Sequence, residues 1–93
     1  MIYQISYDLK SPTADYTAVY ETITSFGDSL PILKSTWLVA TEKTVSDMTD
    51  ALIGAIQNGD RFFISGVIRD KYNGLHSRKT WKWIADHLNE NAS

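Results

Sequence analysis

The alternation of apolar and polar side chains at the start of the chain predicts a β-strand. Over residues 2–9 the two kinds of side chain take turns, and a period of two is typical of a strand with one buried face. The apolar row, which we expect to face the core, is Ile5, Tyr7 and Leu9. The polar row, which we expect on the opposite face, is Gln4, Ser6 and Asp8.

Two later segments have the spacing of amphipathic helices. The first should begin at Ser11 and Pro12, because a hydroxyl caps a first turn and proline fits the first helical position, and it should end at Gly27 in a left-handed cap. Its apolar positions are Tyr16, Val19, Tyr20, Ile23 and Phe26. The second should begin at Thr44, with Asp47 placed as in a capping box. Its apolar positions are Val45, Met48, Leu52, Ile53 and Ile56.

Three further strands and a last helix complete the predicted elements. We expect the strands over residues 29–33, 35–41 and 61–68, where apolar and β-branched residues are enriched. Asn73-Gly74 favours a turn, and Ser77 can cap a helix that runs from about residue 78 to 89.

This order of elements predicts the fold class. The succession β-α-β-β-α-β is the ferredoxin-like pattern, so we expect an α+β, ferredoxin-like βαββαβ sandwich with an additional C-terminal helix. The chain should be one domain over residues 1–93, with its core in residues 1–68 and a C-terminal loop and helix in residues 69–93.

One face of the predicted sheet is too apolar to stay exposed. We expect the two long helices to cover the other face and leave the polar row of the first strand open. The expected neighbours of that row are Ser35, Trp37, Val39, Phe63, Ser65 and Val67. A homodimer interface containing Ser35, Trp37 and Phe63, or cover from the C-terminal helix, would account for such a face.

The composition of the chain indicates the cellular compartment in which the protein occurs. The chain has no cysteine, which excludes disulfides and thiolate metal sites and fits a reducing compartment. Its apolar runs are far shorter than the roughly 20 residues of a membrane helix. The first residues lack a basic stretch followed by an apolar one, so no secretory signal is expected. We therefore expect a cytoplasmic protein with no membrane partner.

The distribution of charge says more than the net charge of −2. Residues 11–33 contain no Lys or Arg, whereas residues 69–82 contain five basic residues against Asp70 alone. Cations in a first helical turn oppose the helix dipole, and a bound anion would reverse that effect. The sequence thus predicts a phosphate site for nucleic acid or a nucleotide, formed by His76, Ser77, Arg78, Lys79 and Lys82. The alternative is a solvated helix face, paired with Asp86 or Glu90.

The tryptophan-rich helix and the two histidines have simpler interpretations. Helical spacing places Trp81, Ile84 and Leu88 on one stripe, which favours core or interface. Trp83 lies on a different side, where it would be buried against a partner subunit or stack on a base. His76 and His87 have no carboxylate or cysteine at zinc-like spacing, so no zinc site is expected.

Two short motifs carry a resemblance to a known family. A strand that ends in Tyr7-Asp8, an amphipathic helix and then Lys34-Ser35-Thr36-Trp37-Leu38-Val39 resemble the small CRISPR-associated Cas-two proteins. Stand-alone relatives of that family that carry the name SinR are more similar still. The similarity covers roughly residues 1–68. It differs at the first helix, which usually starts with Arg or Lys in the family, and at the C-terminus, which here ends in a tryptophan-rich helix.

The resemblance implies a function and a site. It implies a ferredoxin-like homodimer that binds nucleic acid, either as a metal-dependent endonuclease or as a structural subunit of the spacer-integration complex. Asp8 matches the aspartate that would hold Mg or Mn across the dimer and would be the catalytic residue. Ser35 and Trp37 match the serine and the aromatic residue of the family.

A different class of function fits the same residues. Without the resemblance, Asp8 is a strand-end carboxylate that caps the following loop. The chain would then be a non-enzymatic dimeric module that binds a protein partner or a small anionic, nucleotide-like ligand, or a plain structural subunit. The acidic first helix favours this alternative, whereas Asp8 and the basic segment 69–82 favour a nucleic-acid-binding protein.

Overall fold

Four strands and three helices make up the computed structural model, which describes residues 1–10 and 16–92. The elements are β1 (Ile2–Asp8), α1 (Thr17–Ser25), β2 (Asp28–Leu33), β3 (Thr36–Ala40), α2 (Val45–Ala55), β4 (Arg61–Val67) and α3 (Arg78–Ala92). The predicted α+β class and order of elements are confirmed. The predicted helix start at Ser11 and Pro12 lies outside the described residues. No helix in the described part of the chain is long and apolar enough to span a membrane.

The strands form one antiparallel sheet in the order β2-β3-β1-β4. Because β1 and β2 both run antiparallel to β3, they are parallel to each other with β3 between them. By the same logic β3 and β4 are parallel with β1 between them. Each helix that joins such a pair, α1 or α2, therefore crosses over one intervening strand.

Helices α1 and α2 cover one face of the sheet together. Val19 of α1 and Met48 of α2 are buried in a single cluster with Ile5 and Tyr7 of β1. This confirms that the apolar row of β1 faces the two helices. The Thr44 hydroxyl accepts a hydrogen bond of 3.0 Å from the backbone N–H of Asp47, so the predicted cap of α2 is also confirmed.

The apolar stripe predicted for α2 is wider than the buried one. Met48 and Leu52 are buried, but Val45 is 44% exposed and Ile53 is 58% exposed. Val45 is the first residue of the helix, and Ile53 lies at the edge of the helical stripe, so each falls outside the buried contact.

Helix α3 covers part of the opposite face. Ile84 is buried against Ile2, Leu38 and Val67, and the partly buried Trp81 and Leu88 pack around them. The stripe predicted for this helix is therefore confirmed. The sequence predicted that this face is not covered by the two long helices. The C-terminal helix covers its apolar end.

The prediction for β3 is wrong by one residue. Ile5 pairs with Trp37 and Ser6 pairs with Thr36, and paired residues share a face. Trp37 and Val39 thus lie on the face covered by α1 and α2. Both rows of this strand are apolar, because both faces are covered here, so alternation could not identify the row facing α1 and α2.

Two predicted turn positions also differ. The chain turns at Arg69 and Asp70, where Asp70 has φ +65° and the N–H of Lys71 donates to the Ile68 carbonyl at 2.9 Å, rather than at Asn73-Gly74. Aspartate is among the few residues that tolerate this left-handed conformation. Gly27 has φ +158°, close to extended, and its place reflects packing, since a Cβ would overlap the Ala40 carbonyl oxygen.

Candidate functional site

Helix α3 packs on one face of the sheet but leaves one end of that face uncovered. The uncovered end carries Asp8. In the pairing of β1 with β4, Ser6 lies opposite Phe63 and Asp8 lies opposite Arg61, which places all four side chains on this face. We call Ser6, Asp8, Arg61 and Phe63 the β1-end surface. Phe63 is 71% exposed, and Asp8 and Arg61 are exposed as well. A depression of about 370 Å³ is lined by these four residues together with Tyr7 and Phe62.

Hydrogen bonds fix the polar side chains beside this surface. The Ser6 hydroxyl lies 3.1 Å from the Thr36 hydroxyl, and the Gln4 side-chain amide donates to the Ser6 hydroxyl at 3.1 Å. This short network separates the part of the face under α3 from the exposed end. It holds Ser6 in place, and among the described residues the Asp8 carboxylate has no hydrogen-bond or ion-pair partner.

Three basic residues lie near Asp8, either along the chain or through strand pairing. Arg61 is its partner on β4, and Lys10 follows β1 by two residues. Lys34 is exposed in the turn between β2 and β3, whose Ser35 carbonyl accepts a 3.0 Å hydrogen bond from the N–H of Tyr7. Strand pairing brings Arg61 opposite Asp8 and the turn that carries Lys34 beside the end of β1, and no local sequence pattern indicates these two placements. The result is a local basic surface on a chain of net negative charge.

Asp60 anchors the chain next to this surface. Its two carboxylate oxygens accept backbone N–H bonds of 2.9 Å, one from Gln57 and one from Lys10. These hydrogen bonds, first the one from Gln57, lower the pKa of Asp60 below its ordinary value. The aspartate joins the end of β1 to the loop before β4. Asp60 closes a turn by accepting the N–H of Gln57, three residues earlier. The sequence patterns did not predict this role of Asp60.

The site offers limited ligands for a metal ion. In the described part of the chain, no three His, Cys, Asp or Glu side chains lie together as a metal-binding group. Asp8 supplies the one carboxylate of the β1-end surface. Mg²⁺ accepts one or two carboxylates when waters and substrate phosphates complete its shell. The donor set therefore fits Mg or Mn only with ligands from substrate or from a second copy of Asp8.

An aromatic cluster lies on the other side of the same strand end. It consists of Tyr7, Tyr16, Tyr20 and Trp37. The ring centroid of Tyr7 lies 6.3 Å from that of Tyr16 and 6.3 Å from that of Tyr20. The ring centroids of Tyr20 and Trp37 are 5.6 Å apart. Tyr16 and Tyr20 are each 37% exposed, whereas Tyr7 is buried.

The hydroxyl of Tyr7 is buried without a hydrogen-bond partner among the described residues. Burial, reinforced by the nearby Tyr20 hydroxyl, raises the pKa of Tyr7 to about 12. The Tyr20 hydroxyl and the Trp37 indole are near enough to influence this pKa, yet neither reaches hydrogen-bonding geometry with Tyr7. Such an orphaned group calls for a physical explanation.

The segment predicted to bind an anion is tied into the fold at its start. The Nε2–H of His76 donates to the Ile32 carbonyl, and its Nδ1 accepts from the Ser77 N–H at 2.9 Å and the Thr80 hydroxyl at 2.8 Å. The ring is thus fixed in one tautomer, because a backbone N–H can only donate. His76 and the N–H of Ser77 have partners within the protein and hold the start of α3 against β2.

The cations of this segment lie on the exposed side of α3. Arg78 and Lys79 are exposed in its first turn. The Lys82 ammonium lies 2.8 Å from the Asp86 carboxylate, and this hydrogen bond raises the pKa of Lys82. That pair is the one expected of a solvated helix face. The structure does not join the segment to Asp8, since β3 separates β2 from β1.

The second histidine ties the later part of the same helix to the sheet. His87 stacks on Trp83 at 4.0 Å, its Nδ1–H donates to the Trp83 carbonyl at 2.7 Å, and its Nε2 lies 2.7 Å from the Asp28 carboxylate. Trp83 is therefore partly buried within its own chain, beside the core under α3.

Comparisons of the chain with models of protein families, with curated proteins and with solved structures found no match. The function proposed below therefore rests on the chemistry of the residues described above.

Proposed function

We propose that the chain is a Cas-two-like homodimer of ferredoxin-like fold that binds nucleic acid through its β1-end surface. The fold assignment is supported by the two crossover units, each of which has one antiparallel strand between its parallel pair. A cytoplasmic location belongs to the same proposal and is compatible with a chain that has no cysteine.

The observation that carries the proposal is the uncovered group of Asp8, Arg61 and Phe63. A guanidinium binds phosphate oxygens in a bidentate manner, and Lys10 and Lys34 add positive charge nearby. Phosphate contacts of this kind supply most of the affinity of non-specific nucleic-acid binding. An isolated aspartate and an exposed phenylalanine beside such cations are not explained by stability of the single chain.

Dimerisation is proposed to use Phe63. An aromatic side chain that is 71% exposed on a sheet face costs free energy in water, and pairing with a second copy would remove that cost. The flat end of the sheet beside the Gln4–Ser6–Thr36 network gives room for such a contact. Two copies related by a two-fold axis would bring their Asp8 carboxylates toward the same interface.

A metal-dependent nuclease activity is the finer part of the proposal. Two Asp8 carboxylates would hold Mg or Mn, which supplies an activated water and polarises the scissile phosphate when bound. Arg61 would orient the phosphate oxygens, and Lys10 and Lys34 would hold the neighbouring phosphates.

The deciding experiment is a cleavage assay with Mg²⁺ or Mn²⁺ on single- and double-stranded RNA and DNA. Asp8→Asn should abolish cleavage, whereas Asp50→Asn should retain it, because Asp50 is an exposed aspartate on α2, across the sheet. Cleavage that survives in Asp8→Asn would place the activity elsewhere. If the folded wild-type protein cleaves nothing, the nuclease part of the proposal is withdrawn.

Binding is tested separately by titrating labelled oligonucleotides at several salt concentrations. Affinity should fall steeply with salt, and Arg61→Ala should weaken binding and flatten the salt slope by about one unit. Arg78→Ala is the matched control on α3. If Arg78→Ala weakens binding and Arg61→Ala does not, phosphate binds at residues 76–82 instead.

A second candidate function is favoured by one observation. Leu75 is 99% exposed and Leu33 is 60% exposed, and both border a cavity of about 240 Å³ between α3 and the sheet. Exposed leucines at the mouth of a cavity suit a protein partner, as in a non-enzymatic interaction module. Binding of that kind would change little with salt, which distinguishes it from phosphate binding.

A further inference from the structure

The aromatic cluster combines exposure with an unsatisfied polar group. Tyr20 lies at its centre, with ring centroids 6.3 Å from Tyr7, 5.8 Å from Tyr16 and 5.6 Å from Trp37. Core aromatic residues are normally covered, yet Tyr16 and Tyr20 each keep 37% of their surface exposed. Two neighbouring tyrosines thus present ring surface to solvent at the start of α1.

The buried hydroxyl beneath these rings has no partner in the described part of the chain. A phenylalanine at position 7 would fill the same space without that cost, so packing alone does not explain the tyrosine. Tyr16 and Tyr20, whose rings neighbour Tyr7, are exposed residues, and exposed side chains change rotamer within nanoseconds. A polar ligand group can reach the hydroxyl when one of them turns.

The cluster lies at the same end of β1 as the cations of the proposed phosphate surface, on the opposite face of the sheet. Tyr7 immediately precedes Asp8, and its N–H bonds the Ser35 carbonyl in the turn that carries Lys34. No Lys or Arg occurs from residue 11 to residue 33, so α1 contributes aromatic surface and no phosphate contacts. Cations beside an aromatic surface are the arrangement by which proteins bind single strands.

We propose that the aromatic cluster binds an unpaired base of a single-stranded nucleic acid, which stacks on Tyr20 and hydrogen-bonds to the Tyr7 hydroxyl. Lys10, Lys34 and Arg61 hold the adjacent phosphates. A paired base inside a duplex cannot present its face to Tyr20, so the site prefers single strands. This inference rests on the proposed nucleic-acid binding and names the form of nucleic acid that the protein takes.

The test separates base contacts from phosphate contacts. Fluorescence anisotropy measures the affinity of a labelled single-stranded oligonucleotide, in RNA and DNA form, and of an abasic strand of equal length and charge. For the wild-type protein, removal of the bases should weaken binding by about 5- to 150-fold. For Tyr20→Leu, normal and abasic strands should bind with the same low affinity.

Two further variants make the result specific. Tyr72→Leu is the matched control, because Tyr72 is also 37% exposed but stacks on Trp81 of α3. It should bind as the wild type does. Tyr7→Phe keeps the packing and removes only the hydroxyl, so it should lose part of the preference for strands that carry bases and remain fully folded by circular dichroism.

The outcomes distinguish this inference from the proposed function. If normal and abasic strands bind the wild-type protein equally, or if Tyr20→Leu and Tyr7→Phe keep the full preference for bases, the aromatic site is wrong while phosphate binding stands. If neither strand binds, the proposed function fails and the aromatic site fails with it. A stronger affinity for duplex than for single strands would also overturn the inference.

Discussion

Tyr7 shows how burial changes the chemistry of one residue. Its pKa is raised from 10.0 to about 12 in the folded protein, so the unfolded chain loses this proton first as the pH rises. The stability that this group contributes is therefore present below about pH 10 and is lost as the pH rises toward 12. Within residues 1–10 and 16–92 the hydroxyl has no hydrogen-bond partner that would offset its burial.

We predict that Tyr7→Phe leaves the free energy of unfolding at pH 7 unchanged or raises it by about 1 kcal/mol, because a buried unsatisfied group is removed. Urea unfolding at pH 7 and at pH 11 measures both effects, and the variant should lose less stability between the two. Tyr72→Phe, at a half-exposed tyrosine, serves as the control. A clear loss of stability in Tyr7→Phe at pH 7 would mean that the hydroxyl is hydrogen-bonded.

Asp60 illustrates the opposite shift. Backbone N–H groups of Gln57 and Lys10 hold its pKa below the ordinary 3.8, so ionised Asp60 stabilises the fold at neutral pH. This contribution is lost as the pH falls below about 3.8 toward the lower folded value.

We predict that Asp60→Asn lowers the Tm at pH 7, because a neutral amide retains one acceptor oxygen for two N–H donors. The difference from the wild-type protein should shrink as the pH falls below 3.8. Thermal unfolding followed by circular dichroism across this range measures it. Asp50→Asn, at an exposed position on α2, should show no such pH-dependent difference.

At the scale of elements, α3 is held to the edge strand β2 at two points, one just before its first turn and one in its later part. His76 binds the Ile32 carbonyl and His87 binds the Asp28 carboxylate, and both partners belong to β2. The two histidines that offered no zinc spacing in the sequence therefore orient the helix. Between them, Ile84 supplies the buried contact with the sheet.

We predict that His87→Ala lowers the free energy of unfolding by about 1–3 kcal/mol, because it removes a hydrogen bond to the Asp28 carboxylate and the stacking of the ring on Trp83. Chemical unfolding followed by tryptophan fluorescence should report the change, since Trp83 stacks on this ring. Lys82→Ala is the control on the same helix, and it should have little effect because its pair with Asp86 is exposed. Equal effects of the two variants would contradict a special role for His87.

The β1-end surface belongs to the scale of the whole molecule, since β1 and β4 form it together and the proposed dimer would place a second copy beside it. A chain of this size has a small core, so an additional interface would contribute a large share of its stability. Phe63 is the exposed residue best placed to anchor that interface.

We predict that the wild-type protein sediments at twice its chain mass at micromolar concentration. Phe63→Asp should shift it to monomer, with a dissociation constant raised at least about tenfold, because a charge replaces a buried anchor. Ile53→Asp is the matched control, since Ile53 is 58% exposed on α2 across the sheet. A wild-type monomer would contradict the dimer and would remove the second carboxylate from the proposed metal site.

The sequence by itself determined the local features of this protein. Periods of two and of 3.6 located the strands and helices, the Thr44 hydroxyl located a helix start, and Asp8 was placed at an exposed strand end. These features depend on residues that are close along the chain, so single-chain patterns contain them.

Only the tertiary structure decided which surfaces meet. Trp37 faces α1 and α2, as the register of β3 on β1 requires. Both sides of β3 are covered, so both of its rows are apolar and alternation does not show which row faces α1 and α2. His76 and His87 bind partners 44 and 59 residues away, and Arg61 lies opposite Asp8 only through the register of β4 on β1. Pairings at that distance are set by the packing of the whole chain, which no local pattern records.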